Sequence, residues 1–82
     1  MWIMNQNHYQ ITNINTFDRI AMKKDTDGIV LAVVRETGTS RGNTRVQVDL
    51  GKYASKERAQ QVLKEIYEHI ADGTTFYSMS TE

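Results

Sequence analysis

The chain has no cysteine and no proline, only two histidines, and no net charge, its ten basic residues balancing ten acidic ones. Without cysteine no disulfide can hold the fold and no thiol can act as a nucleophile. Nothing in the composition is built for an oxidising compartment. Balanced charge also removes the basic excess by which a domain releases counterions from nucleic acid. Long apolar runs are missing too. The opening Met1-Trp2-Ile3-Met4 gives way to Asn5 and Gln6 with no basic residue before it, so neither a signal peptide nor a membrane span is predicted and the expected location is the cytoplasm. Internal repeats and low-complexity segments are absent as well.

What is present describes one domain, because 82 residues cannot fill a second core. A hydrophobic content of 39% and a charged content of 24% place the chain among ordinary globular domains. Its best-defined element lies within residues 53–73. Ala59, Val62, Leu63, Ile66 and Ile70 recur at the spacing of one helical face. Ser55 is placed to cap the first turn, Glu57 to complement the positive end of the dipole, and Gly73 to take the left-handed conformation that ends a helix. About 17 residues of helix would be about 25 Å long, enough to cross several strands.

The remainder reads as strands. Trp2-Ile3-Met4 and Tyr9-Gln10-Ile11-Thr12 flank the polar run Asn5-Gln6-Asn7-His8, whose asparagines tolerate left-handed backbone, so a short hairpin is predicted. Residues 13–16 form an irregular connection. Residues 17–24 place Ile20 and Met22 on one face and Arg19, Ala21 and Lys23 on the other, the pattern of a half-exposed strand. Asp25-Thr26-Asp27-Gly28, ending in the Asp-Gly pair that two-residue turns prefer, then marks a tight turn into residues 29–34, apolar on both faces and therefore central. Residues 37–43 read as a mobile loop. Val46, Val48 and Leu50 alternate inward along the next strand, which Gly51 breaks. Residues 74–80 give a final strand with Tyr77 and Met79 on one face and Phe76 on the other.

Met1-Trp2-Ile3 with Asn5-Gln6, Leu50-Gly51 followed by Tyr53 and Ser55, Ala59, Val62-Leu63 and Glu65-Ile66 of the helix, and Tyr77 and Met79 of the tail together resemble a family of small uncharacterised proteins of Gram-positive bacteria and their phages. The resemblance covers both ends better than the middle. It implies a phage or mobile-element context and carries no activity onto particular residues.

Candidate chemistry is thin. A nucleophile needs a base that a third group orients, and neither His8 nor His69 has such a partner set in the sequence. Glu65, His69 and Asp72 project from one side of the helix at metal-ligand spacing, but that side is expected to be wet, where a solvated charged face is the better reading. Asp25, Asp27 and Glu36 stand at calcium-loop positions, with Val30 where that loop needs glycine. No metal and no cofactor are expected. Arg35, Arg41 and Arg45 gather on or beside residues 37–43 with Glu36 alone opposing them. They are the candidate contacts for phosphate, although no aromatic stacking groups lie nearby.

The predicted architecture is α+β: a twisted antiparallel meander of about five strands with one long amphipathic helix packed on one face. The favoured function is a non-enzymatic protein-interaction module, a phage- or prophage-encoded modulator of a host protein. The alternative is a nucleic-acid or phosphorylated-ligand binder using Arg35, Arg41 and Arg45. Because one helix covers one face of a doubly apolar strand, the other face is expected to seek a second copy. The candidate interaction surface is Trp2, Tyr9, Val30 and Val34, with a homodimer forming through the sheet face or an edge strand.

Overall fold

The computed structural model describes residues 1–39 and 42–82. Its elements are β1 (Trp2–Met4), β2 (Ile11–Asn13), a 3-10 turn (Ile14–Thr16), β3 (Arg19–Asp25), β4 (Gly28–Thr39), β5 (Gly42–Tyr53), α1 (Lys56–Ala71) and β6 (Phe76–Ser78). The class is α+β. There are six strands among the described residues instead of about five, and they divide into an antiparallel meander, β3-β4-β5, and a smaller sheet of order β2-β1-β6. Within the smaller sheet β6 runs parallel to β1, with Trp2 opposite Phe76 and Met4 opposite Ser78. Parallel pairing between the two ends of a chain involves no turn, so no local sequence signal announces it.

The helix begins and ends on the residues expected of it. Ser55 accepts a hydrogen bond from the Arg58 N–H at 3.1 Å. At the other end Gly73 takes φ +74 and donates to the Ile70 carbonyl, while Thr74 donates to the His69 carbonyl. That double bond is a Schellman stop. Ala59, Val62 and Ile66 are buried and Leu63 packs partly against the core, but Ile70 is half-exposed. The last turn overhangs the meander. Ile14, Phe17, Ile20 and Ile70 consequently line an open hollow of about 340 Å³ instead of closing on one another.

The hairpin between β3 and β4 is tight and turns on the four residues expected. Asp25 pairs with Gly28, so Thr26 and Asp27 form the turn. Gly28 is required by proximity, since a Cβ there would stand 2.6 Å from the Tyr53 carbonyl oxygen. In the β1–β2 connection the left-handed residue is His8, at φ +62, and not one of the asparagines. The predicted loop over residues 37–43 is largely strand. Thr37, Gly38 and Thr39 of β4 pair with Thr44, Asn43 and Gly42 of β5, and Ser40 and Arg41 lie outside the described residues.

A β-bulge in β5 joins the two sheets. Leu31 pairs with Gly51 but Ala32 pairs with Asp49, leaving Leu50 as the extra residue. The bulge advances the side-chain alternation by one, so Leu50 and Tyr53, three residues apart, both enter the core. It also leaves outward-facing carbonyls, and Asn5 and Gln6 take them. The Asn5 side-chain amide donates to the Asp49 carbonyl at 2.8 Å and the Gln6 N–H to the Leu50 carbonyl at 2.8 Å. Gln6 Oε1 accepts from the Lys52 N–H at 2.7 Å, and its Nε2 donates to the Lys52 and Ser80 carbonyls at 3.0 and 3.1 Å. Gly51 makes this possible, because a Cβ there would lie 3.1 Å from Gln6 Cβ. Buried Asn5 also accepts from the Thr12 hydroxyl at 2.9 Å, which ties β2 into the same joint.

The core lies on one side of the meander. Leu31 and Val33 of β4 and Leu50 and Tyr53 of β5 meet Ala59, Val62 and Ile66 of the helix, with Ile3 and Met79 from the small sheet region beside it. The terminal strands therefore share the helix's face. On the other face the doubly apolar strand is not bare. Val30 and Val34 are 4% and 1% exposed, and Ala32 between them is buried. In register beside them stand Arg19 and Lys23 of β3 and Gln47, Asp49 and Lys52 of β5. Their charged ends are tied across the strand: Arg19 to Glu36 at 2.9 Å, Lys23 to Asp49 at 3.4 Å, Lys52 to Asp25 at 3.2 Å and to Asp27. Long stems laid over an apolar strip with their heads in water account for the burial. Among the described residues, no helix is long and apolar enough to cross a membrane.

Two outcomes follow for stability. Ile66→Asp should cost about 5 kcal/mol, most of the net stability of a small domain, whereas Ile70→Lys should change it by less than about 1 kcal/mol. Urea titration followed by circular dichroism checks both. Burial pushes the Tyr53 phenol from 10.0 up to about 12, with Arg58 opposing and Glu65 adding to the rise. Tyr77, raised by burial and by its bond to Glu65, acts in the same sense. Their contribution is intact below pH 10 and is lost as the pH rises through 10 to 12, because the unfolded phenols ionise first. The urea midpoint should fall over that interval, and fall less in Tyr53→Phe.

Candidate interaction surface

The strands of the small sheet alternate in and out. Ile3, Thr12 and Tyr77 share a register line facing the core, and Trp2, Met4, Ile11 and Phe76 point the other way. Trp2 is 42% exposed, Ile11 52% and Phe76 67%. Trp2 stands on the central strand directly opposite Phe76, and Met4 directly opposite Ile11. Two outward aromatics and two outward aliphatic side chains thus form one surface. Tyr9, 92% exposed, stands in the turn two residues before Ile11.

The strands of this surface carry no charged side chain. All the charged residues except Glu82 lie between Asp18 and Asp72, so both segments that build the small sheet are without a Lys, Arg, Asp or Glu. Elsewhere apolar strips are roofed by ion pairs. Here nothing of that kind is available, and the apolar groups meet solvent directly. Exposed aromatics on a charge-depleted patch have the composition of interface cores.

The four expected contact residues are therefore divided. Trp2 and Tyr9 are accessible, whereas Val30 and Val34 lie under the charged side chains of the meander's far face and present almost nothing to a partner. Ile11, Met4 and Phe76 went unselected in the sequence. The uncharged first 17 residues and residues 73–81 were the signal that would have found them.

The arginines are not assembled into a site. Arg35 lies over the Phe17 ring at 5.8 Å from its centroid, on the helix side of the sheet. Arg45 lies 3.9 Å from Glu36, which also binds Arg19, on the opposite side. Arg41 is outside the described residues. Alternation along the β4–β5 hairpin separates what sequence proximity had grouped.

Glu65 and His69 are half-buried, not on a wet flank. Glu65 accepts from the Tyr77 hydroxyl at 3.0 Å, and His69 packs on the Tyr77 ring at 4.9 Å with Nδ1 3.3 Å from the Thr74 hydroxyl. Both anchor β6 to the helix. Asp72 caps the helix instead of joining them. Asp25 and Asp27 hold Lys52, and the Thr26 N–H, followed by the Lys52 ammonium, keeps the Asp25 carboxyl below its ordinary pKa. Among the described residues no three His, Asp or Glu side chains converge as a metal site would require.

No protein-family model, curated protein or solved structure matches the chain.

If the exposed side chains of the small sheet serve contact and not folding, truncating them should cost little. Trp2→Ser and Phe76→Thr should each shift stability by less than about 1 kcal/mol, against about 2 kcal/mol or more for Val34→Ser. Thermal melts of the three variants decide it.

Proposed function

We propose that the chain is a non-enzymatic protein-interaction module whose contact face is the outer side of β2-β1-β6. The observation that carries this reading is the exposure of Trp2, Ile11 and Phe76 together on a sheet face with no charged residue. Monomeric domains rarely leave contiguous apolar surface of this kind without use, and Trp is among the residues that dominate interface energetics. The resemblance of both ends to phage-borne proteins adds a context in which small modulators of host proteins act in the cytoplasm. The alternative, a nucleic-acid or phosphorylated-ligand site at Arg35 and Arg45, has less support, because each arginine is already engaged and they face opposite ways.

The test is paired capture from a bacterial lysate with immobilised parent and a Trp2→Ser/Phe76→Thr variant, quantified by mass spectrometry. Proteins retained by the parent and lost with the variant are expected. Equal retention by both would overturn the assignment of the face. Salt-dependent amide shifts at Arg35 and Arg45 on adding oligonucleotides would favour the alternative.

A further inference from the structure

Resting on that reading of the face, we infer that its occupant is a second copy of the chain, the two small sheets packing outer face to outer face about a twofold axis. A partner bearing charge would have to desolvate it against a surface offering no counter-charge. A second copy brings none. The nine strand residues of the small sheet include no Lys, Arg, Asp or Glu, so two copies set no like-charged side chains of these strands against each other and need no electrostatic register of the kind by which unlike partners are steered. Isologous contact asks only that a patch complement itself. Trp2 on the central strand, flanked by Phe76 on one side and Asn13 on the other, gives each copy a projecting indole and a polar neighbour of smaller size.

The area sets the strength. Taking 150–250 Å² for a whole aromatic side chain, Trp2, Ile11 and Phe76 present roughly 300 Å² between them. With the rim of Met4, Asn13 and Ser78, two copies would bury about 1,000 Å², at the lower end of specific interfaces. An interface of that size belongs with weak, reversible associations, so the dimer should form within the micromolar-to-millimolar concentrations of the chain.

Sedimentation equilibrium of the whole chain from about 10 µM to about 1 mM, at low and high sodium chloride, tests this. The mass should rise from one chain, 9.4 kDa, towards two, with a dissociation constant changing less than about twofold between the salts. Trp2→Ser/Phe76→Thr should stay at one chain. So should Ile11→Lys, which keeps the apolar neighbours but sets a like charge on the face. A parent that remains one chain at the highest concentration would overturn the second copy. So would a dimer that both variants retain, or one that high salt dissolves. Loss of self-association with face-dependent capture intact would remove the second copy alone, and loss of both would remove the contact face itself.

Discussion

The joint between Gln6 and the β5 bulge holds the architecture together. A bulge exposes backbone groups that neither a neighbouring strand nor the core can satisfy, and a buried unpaired amide or carbonyl costs on the order of 1–3 kcal/mol. One glutamine answers two of those groups, the N–H and carbonyl of Lys52, through its side chain and a third, the Leu50 carbonyl, through its own N–H, and its side chain also holds the Ser80 carbonyl of the tail. The geometry depends on Gly51, which leaves the side chain room, and on Asn5, which turns the adjacent carbonyl inward. Because Gln6 lies two residues after the end of β1, fixing it to β5 also fixes the small sheet against the meander. Parallel β6 then docks on β1, and its Tyr77 reaches the helix.

The same arrangement explains how an 82-residue chain with one helix covers a strand that is apolar on both sides. The helix and the small sheet lie side by side on one face. The other is covered by the stems of Arg19, Lys23 and Lys52, whose heads are held by Glu36, Asp49, Asp25 and Asp27. Surface ion pairs of this kind contribute little energy individually. Their effect here is positional: they keep long side chains lying across Val30, Ala32 and Val34. Charge spent on that face leaves the small sheet with none. Its outer aromatics are exposed with no charged side chain on the strands that carry them.

The helix was legible in the sequence from cap to stop, because Ser55, Gly73 and the 3.6-residue spacing are local signals. So were the β3–β4 hairpin, the centrality of β4 and the alternation of the last strand. Ile70 was misplaced because periodicity gives the direction of a side chain but not where the opposing sheet ends. Val30 and Val34 look available in the sequence, which shows two apolar faces and cannot show crossed lysine and arginine stems. The bulge left a trace, in that Val48, Leu50 and Tyr53 cannot all face inward on an unbroken strand. Asn5 and Gln6 read correctly as residues of the β1–β2 connection, but their hold on β5 was not legible because those bonds are to residues more than 40 positions away. The exposed aromatic face of the small sheet was the least legible, since it depends on a parallel pairing of chain ends. Its one sequence trace is the confinement of charge to the middle of the chain.

If Gln6 and the bulge join the two sheets as described, the small sheet cannot open while the meander stays closed. Native-state hydrogen exchange tests that most directly, through the amides of Trp2, Gln6 and Met79, which donate to Thr75, Leu50 and Met4, and that of Lys52, which donates to Gln6. The expected result is that all four exchange only through global unfolding, with the same opening free energy and denaturant dependence as the slowest amides of β4. Exchange of these four through a separate, lower-energy opening, with β4 still protected, would contradict it and leave the small sheet an appendage of the meander.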